Sequence, residues 1–316
     1  MMNHILSIAG QAVIGILLLL AAIFLAGTAV NTCIRIKNRP LLKNPVGQFL
    51  KIDGHNMNVL VKGQGGHTIV FLSGLGTTSP VLDFKALYSL LEDEFRIVVP
   101  EKFGYGFSDI VKTPRSFAEN VELYRRCLTS LGIEGPYILC AHSISGLEAM
   151  LWAQKYPQEV EAIVGLDTTP ADFAQEQIEE APNARRIMQV KLLNLCGLSR
   201  LGKPKCLPHL TEEEKRILRE LCVRNNLNDD IVSEFQDIPN IGETVNSAPL
   251  PVQPCIHFIA QREPSIPWVE KWRKLHQDYA DASTDGKLVQ LSCGHYVHNF
   301  EHGKIAEEIR ELAKQL

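Results

Sequence analysis

The sequence has no large excess of either charge, no internal repeat, no basic low-complexity tail and no long Pro- or Ser-rich linker. Its 316 residues carry a formal net charge of −4, so nothing in the balance points to nucleic acid. Eight cysteines are scattered without a Cys-x-x-Cys pair, and Cys127, Cys140 and Cys255 fall inside apolar strand or helix patterns. They read as reduced, buried thiols, which argues against a disulfide framework and for a reducing compartment. What is there is an ordinary globular composition, 45% hydrophobic and 22% charged, long enough for one or two domains with a large core.

No Lys or Arg precedes Arg35. Residues 5–30 are apolar or small, broken only weakly by Ser7, Gln11 and Thr28. As a helix this run reaches about 39 Å, against about 30 Å for a hydrocarbon core. A cleaved signal peptide calls for a basic start and a shorter apolar stretch. A lipoprotein cleavage box would need Cys where Thr28 follows Leu25-Ala26-Gly27. The expectation is therefore a single-pass transmembrane anchor at 5–30 and a juxtamembrane linker at 31–46. Arg35, Lys37, Arg39 and Lys43 all follow the span. By the positive-inside bias, the following domain should face the cytoplasm.

Beyond the linker, strand-like runs alternate with helical ones, which implies an α/β fold with a mostly parallel central sheet and helices on both faces. An Asp53-Gly54 turn joins two alternating segments into an antiparallel hairpin at one edge. In Tyr137-Ile-Leu-Cys-Ala-His-Ser-Ile-Ser-Gly146 an apolar strand stops, Ser143 follows, and a helical stretch begins. That is the layout of a nucleophile elbow, with the N–H of Ile144 left free for an oxyanion. Ala141 and Ser145 stand two residues either side of the serine, where glycine is usual. A late strand runs into Cys293-Gly-His-Tyr-Val-His298, and His295 there is the expected general base.

Four motifs in order resemble the α/β-hydrolase superfamily from about Gly47 to the end. Phe71-Leu-Ser-Gly-Leu-Gly76 resembles the oxyanion loop, with Ser73 in place of the usual His, and implies Leu75 N–H as the second oxyanion donor. Pro100 to Asp109 resembles the Pro-Asp-x-x-Gly-x-Gly-x-Ser turn, with Glu101 at the Asp position. The Ser143 elbow and the His295 loop complete the set. The resemblance implies one hydrolase domain, 47–316, with a helical cap inserted at 168–251, and a Ser-His-acid triad acting without metal or cofactor.

Asp167, at the end of a strand, and Glu263, after the next, are the candidate acids, with Asp167 preferred. A metal site of His295, His298, His302 and Cys293 is the competing reading of the late loop, but it would consume the base that Ser143 needs. Gly74-Leu-Gly76 lacks the third glycine of a dinucleotide fingerprint. Ser rather than Asp at the elbow disfavours an epoxide hydrolase or dehalogenase. The expected activity is cleavage of an acyl bond, a carboxylic ester first. A binding protein without turnover and an aminopeptidase or amidase are the alternatives.

Within the cap, residues 185–205 mix leucines with Arg186, Lys191, Arg200 and Lys203. Such a piece either rests on an anionic membrane surface or packs as a lid on the core. Lining by Leu192 and Leu195 would then select lipid-like acyl substrates.

Overall fold

The computed structural model describes the chain except for residues 1, 177–180, 203–206, 208 and 264 and the side chains of 2–9 and 176. It opens with helix α1 (Met2–Asn38), which continues well past Val30, so much of the expected linker is helical. A 3-10 turn follows at Arg39–Leu42. Helix α1 gives way to this turn at Pro40, which has no N–H to continue the α-helical ladder. Among the described residues one helix is long and apolar enough to cross a membrane, within Gly10–Leu42, at a mean hydropathy of 2.7.

The hairpin is β1 (Gln48–Ile52) and β2 (His55–Lys62), turning at Asp53 and Gly54, both at positive φ. There follow β3 (Thr68–Leu72), the short helices α2 (Pro80–Asp83) and α3 (Lys85–Tyr88), β4 (Arg96–Glu101) and α4 (Phe117–Ser130). Next come β5 (Tyr137–His142), α5 (Ser145–Lys155) and β6 (Val160–Leu166). Among the described residues, four α-helices come before the next strand: α6 (Ala171–Glu176), α7 (Ala184–Cys196), α8 (Glu212–Asn225) and α9 (Asp229–Asn246). The chain closes with β7 (Cys255–Ala260), α10 (Val269–Ala282), β8 (Gly286–Leu291), α11 (Val297–Phe300) and α12 (His302–Ala313).

The eight strands form one sheet in the order β1-β2-β4-β3-β5-β6-β7-β8. Only the β1–β2 and β2–β4 pairings are antiparallel. Strict alternation divides the core. Val70, Leu72, Leu139 and Ala141 face one cluster with α4 and α5, while Ile69, Phe71, Ile138 and Cys140 face the other with α2, α3 and α12. A sheet covered on both faces needs such near-continuous apolar strands.

Two regions depart from what their apolar patterns suggest. The helical periodicity over 80–91 is broken at Phe84, whose fully buried ring packs on Phe71 and His298 with centroids 5.1 and 4.9 Å away. Helix α7 does not pack on the core as a lid would. Cys196 is its only buried residue, and Met188, Leu192, Leu193 and Leu195 are 43–58% exposed. Among the described residues, Leu192 and Leu195 are therefore not enclosed as the lining of a buried acyl pocket would be. Lys203 and Lys205, part of the same basic apolar stretch, lie outside the described residues.

Glu101 holds the glycine turn after β4. Fully buried, it accepts hydrogen bonds from Asn58 Nδ2 (2.9 Å), Ser79 Oγ (2.7 Å) and the Phe107 N–H (2.7 Å). Gly106 sits at φ 46°, and a methyl there would overlap the Glu101 carboxylate. Gly106→Ala combines this overlap with a left-handed backbone, and should cost about 3 kcal/mol or more. Thermal unfolding in detergent, against an exposed Gly303→Ala control, checks it. Equal melting temperatures would show that the turn tolerates a side chain.

Candidate active site

β5 ends at His142, and Ser143 takes φ 58°, a conformation that costs a non-glycine residue about 1–3 kcal/mol. Its backbone is fixed on both sides. The Ser143 N–H donates to the Leu166 carbonyl (3.2 Å), and its carbonyl accepts from the N–H groups of Gly146 (3.1 Å) and Thr169 (3.0 Å). Ser145 turns its departure from glycine into a further tie. Its hydroxyl reaches the carbonyls of Leu72 (2.7 Å) and His142 (2.8 Å), and accepts from the His142 N–H (3.1 Å). Gly146 stays glycine because a methyl there would lie 2.5 Å from Thr168 Cβ.

His295, on the loop after β8, comes within 3.0 Å of Ser143 Oγ through Nε2 and within 2.6 Å of Asp167 Oδ2 through Nδ1. With Nδ1–H donating to the carboxylate, Nε2 is the lone-pair side facing the hydroxyl. Asp167 directly follows β6, fully buried at φ 47°. Its carboxylate accepts a two-pronged guanidinium bond from Arg262 (2.9 and 2.7 Å) and the Ala260 N–H (2.9 Å). Burial alone would push this carboxyl up, but the hydrogen bonds and charges of His295 and Arg262 outweigh it and hold it well below the usual carboxylate range. Glu263 is exposed. Of the two candidate acids, the structure brings Asp167 to His295.

The loop after β3 abuts the elbow. A methyl on Gly74 would lie 3.0 Å from both Ser143 Cβ and His142 Nδ1. The Thr77 N–H bonds back to the Gly74 carbonyl (3.3 Å) and the Gly76 N–H to Tyr105 Oη (3.1 Å). The N–H groups of Leu75 and Ile144 make no hydrogen bond among the described residues. Tyr105 in turn donates to Glu234 on α9 (2.6 Å). Glu234 and Glu148 on α5 flank Lys102 Nζ at 3.0 and 3.4 Å, and Asn120 donates to both carboxylates. This buried group ties the inserted helices to the loop that borders Ser143.

The late histidines do not gather into one cluster. His298 is buried and bonds Asp83 Oδ2 (2.9 Å), while the ring of His302 contacts that of His209 with centroids 4.7 Å apart. Asp83, His142 and His298 do place ligand-type atoms within 4.8 Å of one another. Asn299 Nδ2 (3.2 Å) also bonds Asp83, and His142 Nε2–H donates to the His295 carbonyl (3.2 Å). Burial, followed by the charges of His298 and His295, drives His142 far below the imidazole range, so it stays neutral. These bonds brace the loop that carries His295. Neither Arg262 nor the Asp83–His298 pair was found by sequence reasoning.

A family model described as alpha/beta hydrolase fold matches residues 67–189. Among solved structures, Cfl2 from Burkholderia cenocepacia aligns over 84% of this chain and 94% of its own at 19% identity and a TM-score of 0.66. An enol-lactonase from Burkholderia xenovorans aligns over 84% of this chain and 100% of its own at 16% identity and a TM-score of 0.59. The chain has the α/β-hydrolase fold. YbdG of Bacillus subtilis is 29% identical over 292 residues, 89% of each chain. The 2-(acetamidomethylene)succinate hydrolase of Mesorhizobium japonicum is 31% identical over 132 residues, 41% of this chain and 44% of that protein. Ser73, directly after β3, is buried, and its hydroxyl has no partner among the described residues.

The buried carboxylates give a pH test. Burial raises Glu148, Lys102 draws it back and Glu234 raises it again, leaving it at about 7 against 4.5. The fold binds this proton more tightly than the unfolded chain does, so its stabilising contribution is complete below about pH 4.5 and lost as pH rises to about 7. In Glu148→Gln that slope should disappear. The wild-type melting temperature relative to the variant should fall across this window and level off above it. Parallel curves for the two proteins would place the proton elsewhere.

Proposed function

We propose that the protein is a membrane-anchored serine hydrolase that cleaves an acyl bond, a carboxylic ester first, through an acyl-enzyme on Ser143. The observation that carries this is the unbroken chain from Ser143 Oγ through His295 to Asp167, at 3.0 and 2.6 Å. His295 Nε2 takes the hydroxyl proton as Oγ attacks the carbonyl carbon. Asp167 keeps Nδ1 protonated and steadies the imidazolium that forms. The N–H groups of Ile144 and Leu75 receive the oxyanion, and losing one such donor costs about 3 kcal/mol of transition-state stabilisation. His295 returns its proton to the leaving alcohol, and water then repeats the sequence to free the acid.

A serine nucleophile distinguishes this reading from chemistry that starts at an aspartate in the same fold. The enol-lactonase among the structural neighbours, by its name, acts on a cyclic ester, which fits the same reaction class. The His295 side chain is 39% exposed, so the site is open to a substrate arriving from outside. The anchor reading rests on α1, whose apolar window has none of its residues buried against the rest of the chain. Arg35, Lys37, Arg39 and Lys43 at its end favour a cytoplasmic domain.

A fluorophosphonate probe should label the wild type, and labelling should vanish in Ser143→Ala and fall sharply in His295→Ala. Full labelling of Ser143→Ala would remove the nucleophile. Asp167→Asn should lower turnover of a short ester by about ten-thousandfold, the scale of the matching change in serine proteases. Glu263→Gln should leave turnover within about twofold, since its side chain is solvated. Faster cleavage of aminopeptidase substrates than of any ester would move the activity to amides. For topology, the protein should resist alkaline carbonate extraction and, in intact cells, external protease. Release by carbonate would remove the anchor, and digestion from outside would reverse its orientation.

A further inference from the structure

Helix α7 ends against α1 at one fixed level. Asn31, buried on an otherwise exposed stretch of α1, donates through Nδ2 to the carbonyls of Asn194 (2.8 Å) and Leu195 (3.0 Å). These belong to the last turn of α7, where carbonyls have no partner within the helix. Arg200 Nε donates to Asn31 Oδ1 (2.6 Å), and its guanidinium also pairs with Glu220, which accepts from Asn38 Nδ2 (2.7 Å). One turn earlier, Gly27 lets the two helices close, since a methyl there would lie 2.8 Å from the Cys196 carbonyl. Contacts at Gly27 and Asn31 bracket the end of the apolar run at 5–30. If α1 spans a bilayer, the end of α7 sits at the boundary between hydrocarbon and head groups.

The chemistry of α7 and its surroundings fits that level. Met188, Leu192 and Leu195 are exposed, and the leucine face continues through Leu198 and Leu201. A cleft of about 510 Å³ opens between the end of α1, α7 and the α8–α9 connection. Arg35, Lys112, Lys191 and Arg224 line it, against the single acid Asp229, which pairs with Lys191 at 3.2 Å. Arg224 also donates to the Gly106 and Ser108 carbonyls, so one wall of the cleft is fixed to the glycine turn. Apolar side chains beside a cationic cleft are the composition of a surface that seats on anionic lipid.

We infer that α7 and the cationic cleft beside it form a docking face for the anionic surface of the bilayer that holds α1, the cleft taking a phospholipid phosphate. The inference rests on the anchor reading above and deepens it. An open Ser143 site held against the membrane boundary would receive acyl compounds that partition into lipid.

The test uses the full-length protein in nanodiscs of phosphatidylcholine alone or with a minor fraction of phosphatidylglycerol, read by amide hydrogen exchange along α7. Exchange should slow about tenfold on the anionic disc, and Arg35→Gln with Lys191→Gln should abolish most of that slowing. Met188→Gln with Leu192→Gln, at exposed positions that leave the fold intact, should also reduce it. Inorganic phosphate added to neutral discs should not reproduce the effect. Equal exchange on both discs, or full slowing in both double variants, overturns the inference, and slowing by phosphate alone would make the cleft a site for the free ion instead. Ser143→Ala should dock like the wild type, so loss of the hydrolase reading and loss of the docking face are separable. Thermal unfolding of the surface variants at the wild-type temperature confirms that they are folded.

Discussion

A carboxylate with no exposed surface, Asp167, is kept ionised beside His295 by one guanidinium and one backbone N–H. Desolvating an unpaired carboxylate is expensive, so this arrangement exists only because several strand ends supply its partners at once. The Asp167 N–H is fixed to Phe258 on β7 (2.7 Å), and Ser143 is fixed to Leu166 on β6. Arg262 arrives from just beyond β7, and His295 from just beyond β8. Parallel pairing of β5, β6, β7 and β8 sets all four groups beyond the carboxyl ends of the strands. Two positive-φ residues, Ser143 and Asp167, occur directly after adjacent strands, which concentrates backbone strain where side chains must project past the sheet.

The same geometry explains why part of the site was legible in the sequence. Ser143 and Asp167 directly follow apolar strands and His295 lies on the loop after another strand, and a strand end is a local pattern. Arg262 is not of that kind. In sequence it reads only as a charge beside Glu263, whereas in space it binds the carboxylate of a residue 95 positions away. Lys102, Glu148 and Glu234 were hidden for a related reason, since charged residues on loops and amphipathic helices are ordinarily solvated and only the tertiary packing buries these three together.

The helical boundaries that moved have equally specific causes. Pro40 rather than the loss of apolar character ends α1, and the buried ring of Phe84 divides what periodicity joins. Helix α7 is the opposite case. Its leucines have the composition of a core helix, but nothing in the described chain covers them. Composition cannot distinguish a face that packs inward from one that packs on something outside the molecule.

The buried polar connections link parts of the molecule that the sheet does not. Tyr105 carries the Gly76 N–H to Glu234 on α9, so the backbone beside Ser143 is positioned partly by an inserted helix. Arg224 on α8 fastens the Glu101 turn, and Glu220 on the same helix joins Arg200 and Asn38. Asn31 then joins α1 to the end of α7. A displacement of α1 relative to the sheet would therefore strain α8 through Glu220, and through Arg224 it would reach the turn that carries Tyr105. Because buried polar networks lose their stabilising effect when only partly satisfied, such strain cannot be absorbed at one bond. The orientation of the N-terminal helix and the placement of the loop beside Ser143 are in this way determined together.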